Sequence, residues 1–224
     1  MTDTKDALLD AAMMHVPFDG WSETTLRAAA RDAEVPLEQA RALFPRGAVD
    51  MALAFHKRGD DQMAAALRDE PLEDMRFRDR VARAVRLRIE VIDDKEAVRR
   101  GTTLFALPPH AADGTKALWG TADRIWRELG DSSDDINWYT KRATLSGVYG
   151  STVLYWLGDD SLGAQDTWAF LDRRIDDVMR IEKVKSAVNA NPLTRTLFAG
   201  PNWLASKVRA PGDMSGYPGR WTDG

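Results

Sequence analysis

From Ala143 to Leu157 the chain reads ATLSGVYGSTVLYWL, fifteen residues without a charge. No single face of a surface helix accounts for such a run, because a surface helix keeps a polar face toward water. The run must be surrounded by protein, by a lipid, or by both. It is too short to cross a bilayer, which needs roughly 20 apolar residues. It therefore reads as a central core helix. It is entered through Asp134-Asp135-Ile136-Asn137-Trp138-Tyr139-Thr140-Lys141-Arg142. The acids suit a helix N-terminus, whose exposed amide groups favour negative charge. The aromatic, polar mouth that follows them needs a purpose of its own.

The 224 residues make one medium domain, or a small head on a larger body. A hydrophobic share of 44% is enough for a core, and a charged share of 29% reads as soluble protein. The absence of cysteine excludes disulfides, thiolate chemistry and cysteine metal sites, and fits a reducing compartment. The start, MTDTKDALLDAAMM, is acidic and amphipathic, unlike a signal or transit peptide. A bacterial-type cytoplasmic location is the expectation. The net charge of −4 argues against nucleic acid as the main partner. That charge is uneven. Lys183, Lys185, Arg195, Lys207 and Arg209 stand in a stretch without acids, which leaves −9 for the rest of a chain whose total is −4. A basic tail on an acidic body suggests an anionic surface partner for the tail alone.

Helical periodicity dominates and no run alternates like a strand, so the chain is expected to be all-α. Helices are expected over 5–15, 24–33 with Ser22 as N-cap, 36–44 opened by Pro36, and 48–68. The segment LLDAAMMHVPFDGWSETTLRAAARDAEVPLEQARALFP resembles the N-terminal helix-turn-helix domain of TetR-type regulators. Leu8, Ala11, Ala12, Trp21, Leu26, Ala29 and Phe44 match its core. The usual turn glycine is Glu34 here, and the third helix, PLEQARAL, has one acid and one base. Phosphate contacts made by cations supply most of the affinity of such modules, so the head (1–47) is expected to be a scaffold without DNA binding.

The segment 68–100 carries ten basic and nine acidic residues. Phe77, Val81, Ala84, Val85, Ile89 and Ile92 form an apolar stripe, and the arginines at 76, 78, 80, 83, 86 and 88 are expected mostly on the solvated side. Pro108-Pro109-His110 makes a fixed turn or a rigid loop beside a pocket mouth. An amphipathic helix is expected over 115–129, closed by Gly130. The helix after the central one spans 164–183 and packs antiparallel to it. In a TetR-like chain such a pair makes a four-helix homodimer interface. In the tail, Leu193, Leu197, Phe198, Trp203, Leu204 and Lys207 have the character of a helix in a membrane interface, each base near an anionic surface adding roughly 1 kcal/mol. A helix docked on the body or on a second subunit is the alternative. Residues 211–224 read as disordered.

Catalytic constellations are missing: no glycine-rich phosphate loop, no nucleophile elbow and no metal-ligand spacing. His15, His56 and His110 are far apart, and His110 in its proline loop is the one to test. The tryptophans point to a large hydrophobic ligand or a partner surface.

At 134–182 the residues Asp135, Asn137-Trp138-Tyr139-Thr140, Arg142, Tyr149, Asp166-Thr167-Trp168, Phe170-Leu171 and Arg174-Ile175 resemble the accessory lipid-binding proteins of ubiquinone biosynthesis, the ninth family of the coenzyme Q gene series. Leu107-Pro108 with His110 is similar to that family's Leu-Pro-His element. The resemblance implies a TetR fold without the DNA function, a homodimer, and no catalysis or cofactor. It implies an isoprenoid quinone or phospholipid ligand in a hydrophobic body (48–183), presented to a quinone-ring hydroxylase, di-iron or other. Peripheral attachment to the inner membrane, through an amphipathic segment (184–210), is implied too. The patch for the hydroxylase maps to Asp135, Asn137, Trp138, Tyr139 and Arg142. Candidate lipid-facing residues are Leu104, Leu107, Leu145, Val148 and Tyr149, with Thr152, Trp156, Trp168 and Leu171. The competing readings are a TetR-type regulator with a hydrophobic inducer and an enzyme using the 134–142 patch.

Overall fold

The computed structural model describes residues 2–190 and Ala210, and side chains from residue 4 to residue 180. All regular structure among them is helical. The uncharged run forms the last fifteen of the 22 residues of a helix over Ile136–Leu157. Asp135 caps it, its carboxylate accepting from the Asn137 N–H at 2.8 Å.

The head comprises α1 (Thr2–Met13), α2 (Val16–Asp19), α3 (Glu23–Asp32) and α4 (Leu37–Leu43). Leu8, Leu9, Ala12, Val16, Leu26, Ala29 and Phe44 are buried together there. The Ser22 hydroxyl caps α3 by accepting from the Thr25 N–H at 3.2 Å. Pro36 stands just outside α4 rather than opening it, and α1 stops short of His15 because Val16–Asp19 turns separately. Glu34 takes a left-handed backbone, φ 54°, at the turn where glycine would be free of the side-chain clash. Trp21 ties head to body: its ring N–H donates to the Ala97 carbonyl at 3.0 Å, and its ring lies 5.4 Å from that of Phe55.

The body comprises α5 (Ala48–Arg68), α6 (Phe77–Glu90), α7 (Lys95–Ala106), α8 (Ala111–Glu128), α9 (Ile136–Leu157) and α10 (Gln165–Ala190). The charge-dense segment is two helices because Asp94 caps a new start, accepting from the Glu96 and Ala97 N–H groups at 2.8 and 3.0 Å. The double proline makes one 3-10 turn, Pro108–His110, and α8 follows at once, earlier than periodicity placed it. α9 packs on α8 and α10, and α5 on α6 and α8. Their shared core contains Met63, Leu67, Val85, Ile89, Ile125, Leu145, Tyr149 and Leu171.

Arg88 is not on the solvated side of α6: it is buried, and its Nε donates to Asp60 at 2.6 Å. A guanidinium survives in a core only with such a partner. The apolar stripe frays at Phe77, which is half exposed. The uncharged run is also not fully enclosed by this chain. Leu154 is 61% exposed, and Tyr155, stacked on Phe170 at 4.5 Å, is 39% exposed.

Candidate functional site

A cavity of 560 Å³ lies between α5, α7, α8 and α9, with Arg88 and Ile92 also lining it. Phe55, Val98, Phe105, Leu118, Val153 and Leu154 give it apolar walls. One close helix approach shapes it. A Cβ on Gly114 would sit 2.7 Å from the Cβ of Phe105, so α7 and α8 approach this closely only with glycine there.

The floor is polar. Arg88 Nε donates to Asp60 Oδ1 at 2.6 Å, and Arg88 Nη2 donates to the His56 carbonyl at 2.9 Å. Thr121 donates its hydroxyl to the same Asp60 oxygen at 2.8 Å, and its oxygen lies 2.8 Å from His56 Nε2. The Tyr149 ring meets that of His56 edge-on at 6.5 Å and lies under the Arg88 guanidinium at 5.7 Å. Burial and the Arg88 charge lower His56 to about 4, against the opposing effects of Asp60 and the Ala117 carbonyl. Burial raises the Tyr149 hydroxyl to about 12, with Arg88 opposing and Asp60 adding. At neutral pH both side chains are uncharged. A second, smaller cavity of 180 Å³ lies on the other side of α9, lined by Phe77, Val81, Trp126, Leu145, Val148 and Met179 among others.

At the start of α9, Trp138 and Tyr139 join Trp119 of α8 in a three-ring cluster. Ring centres are 4.8 Å apart for Trp138–Tyr139, 5.9 Å for Trp119–Trp138 and 6.5 Å for Trp119–Tyr139. Asp135 and Asn137 sit beside it, Asn137 Nδ2 donating to Asp135 Oδ2 at 2.9 Å. Arg142 departs from the expectation of a presented contact residue. It is 2% exposed, with Nε donating to Asp123 at 2.7 Å, Nη1 donating to Asp131 at 3.0 Å, and its guanidinium 4.0 Å from the Trp138 ring centre. Its charge is consumed below the surface, where it fixes Trp138.

Of the lipid-facing candidates, Tyr149 lines the larger cavity, and Leu145 and Val148 line the smaller. The other six line neither, a correction with simple packing causes. Thr152 is buried and donates to the Val148 carbonyl at 2.7 Å. Leu171 belongs to the core between α9 and α10, with Trp156 and Trp168 packed against it. Trp168 also carries the Arg86 guanidinium at 4.7 Å, and its ring N–H donates to the Gly163 carbonyl at 2.8 Å. Leu104 packs against the head core, and Leu107 is half exposed before the proline turn. Periodicity picks apolar residues but not which side of a buried helix faces a void. His56, Asp60, Arg88 and Thr121 were missed. The signal for them was the His56–Asp60 spacing of one helical turn, a 3.8 Å pair in the structure. His110 caps the proline turn and lines neither cavity. Leu193, Leu197, Phe198, Trp203, Leu204 and Lys207 lie outside the described residues, as does 211–224. Among the described residues no helix is long and apolar enough to cross a membrane, and no three side chains cluster as metal ligands.

The family model COQ9 matches residues 111–182, the span that holds the aromatic cluster and both cavity faces of α9. Ubiquinone biosynthesis protein COQ9, mitochondrial, of Xenopus tropicalis is 31% identical over 184 residues, 77% of this chain and 56% of that protein. Its namesake in Rattus norvegicus is 30% identical over 198 residues, 82% of this chain and 62% of that protein. The chain belongs to the COQ9 family. It spans 56% of the length of the Xenopus tropicalis relative. A member from Dictyostelium discoideum, named a probable ubiquinone biosynthesis protein, is 27% identical over 92% of this chain and 68% of that protein. In solved structures the fold is that of a TetR transcriptional regulator from Nitrosomonas europaea, with a TM-score of 0.64 at 18% identity, covering 78% of this chain and 97% of that one. The all-α, TetR-like architecture therefore stands. The expected cytoplasmic, inner-membrane location is corrected: these COQ9 relatives are named as mitochondrial proteins. The acidic opening of this chain, on which that expectation rested, is composition alone and does not set a compartment.

Proposed function

We propose that this COQ9-family chain is a non-catalytic accessory protein of ubiquinone biosynthesis that holds an isoprenoid lipid and offers it to a quinone-ring hydroxylase. The observation that carries the reading is the 560 Å³ cavity with apolar walls and a charge-neutral polar floor, inside a body of the COQ9 type. An isoprenoid tail gains about 0.8 kcal/mol for each CH₂ withdrawn from water, so an apolar cavity in a water-soluble body lowers the cost of leaving a bilayer.

In this reading the cluster of Trp119, Trp138 and Tyr139, flanked by Asp135 and Asn137, docks the hydroxylase. Aromatic residues at a rim with few free charges are what interface hot spots use. Residues 1–47 serve as a scaffold head without DNA contacts. Residues 48–183 form the lipid-binding body, which pairs with a second copy through the outer faces of α9 and α10, where Tyr155 is exposed beside Phe170. The basic segment 184–210 attaches to an anionic membrane surface.

A pull-down from native membrane extract, with lipid analysis of the same eluate, tests partner and ligand together. The reading expects a hydroxylase and an isoprenoid ring lipid in one eluate. Specific operator DNA with neither of these would favour a transcriptional regulator instead.

A further inference from the structure

The polar floor of the larger cavity has fixed hydrogen-bond directions, and they say which head group it accepts. Thr121 has a single hydroxyl proton. Its oxygen stands 2.8 Å from Asp60 Oδ1 and 2.8 Å from His56 Nε2. Asp60 already takes the Arg88 Nε–H at 2.6 Å, so it is a carboxylate that only accepts. The Thr121 proton therefore goes to Asp60, and Thr121 accepts from His56. The ring proton of His56 is thereby on Nε2. The Ala117 carbonyl lies 3.3 Å from the same Thr121 oxygen, and its hydrogen bond with the ring raises His56 against burial. With the ring neutral, Nδ1 is a bare acceptor on a side chain that lines the cavity.

Tyr149 supplies the opposite function. It lines the same cavity, its ring edge-on to His56 at 6.5 Å, and its hydroxyl keeps its proton. The cation of Arg88 is matched by Asp60, so the floor holds no net charge for an anion. Backbone geometry keeps that match in place: a Cβ on Gly59 would stand 2.5 Å from Arg88 Nη1.

A head group that completes this floor must donate one O–H to His56 and accept one from Tyr149, without bringing a charge. A phenol or hydroquinone does both. A quinone or an aryl ether only accepts, which leaves Nδ1 buried and unpaired, and such a group costs more than a made bond returns. A phosphate finds its counter-charge already taken. We propose that the larger cavity selects an uncharged, hydroxyl-bearing aromatic head over the matching quinone, ether or phosphate, with His56 and Tyr149 as the reading pair. The proposal rests on the lipid-binding reading above.

Three probes with one tail test it by isothermal titration calorimetry on the full chain: 2-geranylphenol, its methyl ether, and geranyl phosphate. The phenol is expected to bind about tenfold more tightly than the ether, one buried acceptor's worth, and the phosphate no better than the ether. In His56→Leu the phenol-to-ether ratio falls toward one. If that variant does not fold, His56→Phe, nearer in shape, reads the same ratio. Tyr149→Phe weakens phenol and ether alike. Equal binding of phenol and ether by the unsubstituted protein, an unchanged ratio in the folded His56 variant, or tighter binding of the phosphate overturns the head-group assignment and leaves lipid binding standing. Failure of all three probes to bind removes the lipid reading itself.

Discussion

The guanidinium of Arg142 lies 4.0 Å from the centre of the Trp138 ring, one helical turn earlier, and is held from beneath by Asp123 and Asp131. The aromatic patch thus rests on a buried ion triad. Removing the cation leaves Asp131, whose side chain is 4% exposed, with one partner fewer. Arg142→Met is expected to cost about 3 kcal/mol in urea unfolding, the usual consequence of breaking a buried pair. Trp138→Ala, at the half-buried end, should cost less and act on partner capture instead. Equal stability losses for the two would contradict the division between support and contact surface.

The same triad makes stability acid-sensitive. Burial pushes the Asp131 carboxyl up, but hydrogen bonds from Lys141, Ser133 and Arg142 outweigh burial and hold it at about 2. A carboxyl lowered on folding stabilises above its unfolded value near 3.8, and that stabilisation is lost as pH falls toward 2. Asp131→Asn should therefore be less stable at pH 7 and lose less stability between pH 4 and pH 2 than the parent, as read by urea midpoints.

His56 acts in a higher window. Its folded value of about 4 lies below the 6.5 of an exposed imidazole, so the unfolded chain binds the proton first as pH falls. The cost begins near pH 6.5 and grows to roughly 2 kcal/mol by pH 5. His56→Leu should flatten the stability profile between pH 7 and pH 5. An NMR titration showing the His56 ring protonating near 6.5 in the folded protein would contradict the buried, neutral assignment.

How much of this was legible beforehand divides by physical cause. The caps at Ser22 and Asp135 are local, a side chain meeting a backbone two or three residues on, and periodicity with cap chemistry found both. The uncharged run announced a buried helix for the same reason. Arg88 and Arg142 were misread because both sit in charge-rich segments, where sequence shows the cations but not the tertiary partners, Asp60 and Asp131, that allow burial. The cavity was invisible because a void is made by what several helices leave out. Tyr149 was named through the family resemblance, whereas Phe105 and Leu118 contribute through the approach of α7 and α8.

Two helix glycines separate packing from binding. At Gly59 an added Cβ would strike Arg88 Nη1 at 2.5 Å, whereas at Gly147, on the cavity rim, it would meet nothing within 4 Å. Helix propensity alone would reward either change to a helix-forming residue by up to about 1 kcal/mol. Gly59→Ala is instead expected to lower stability by about 2–3 kcal/mol, because the displaced guanidinium leaves Asp60 buried. Gly147→Leu should keep or raise the melting temperature while reducing lipid load. Both outcomes are read by calorimetry and by extraction of bound lipid.

The central claim is that the cavity between α5, α7, α8 and α9 holds a lipid, and native mass spectrometry of the full chain purified without added lipid tests it most directly. A population carrying one isoprenoid-sized adduct per chain is expected, diminished in Gly147→Leu. A bare polypeptide mass that stays bare after incubation with isoprenoid-loaded vesicles, or an adduct undiminished by that substitution, would contradict it.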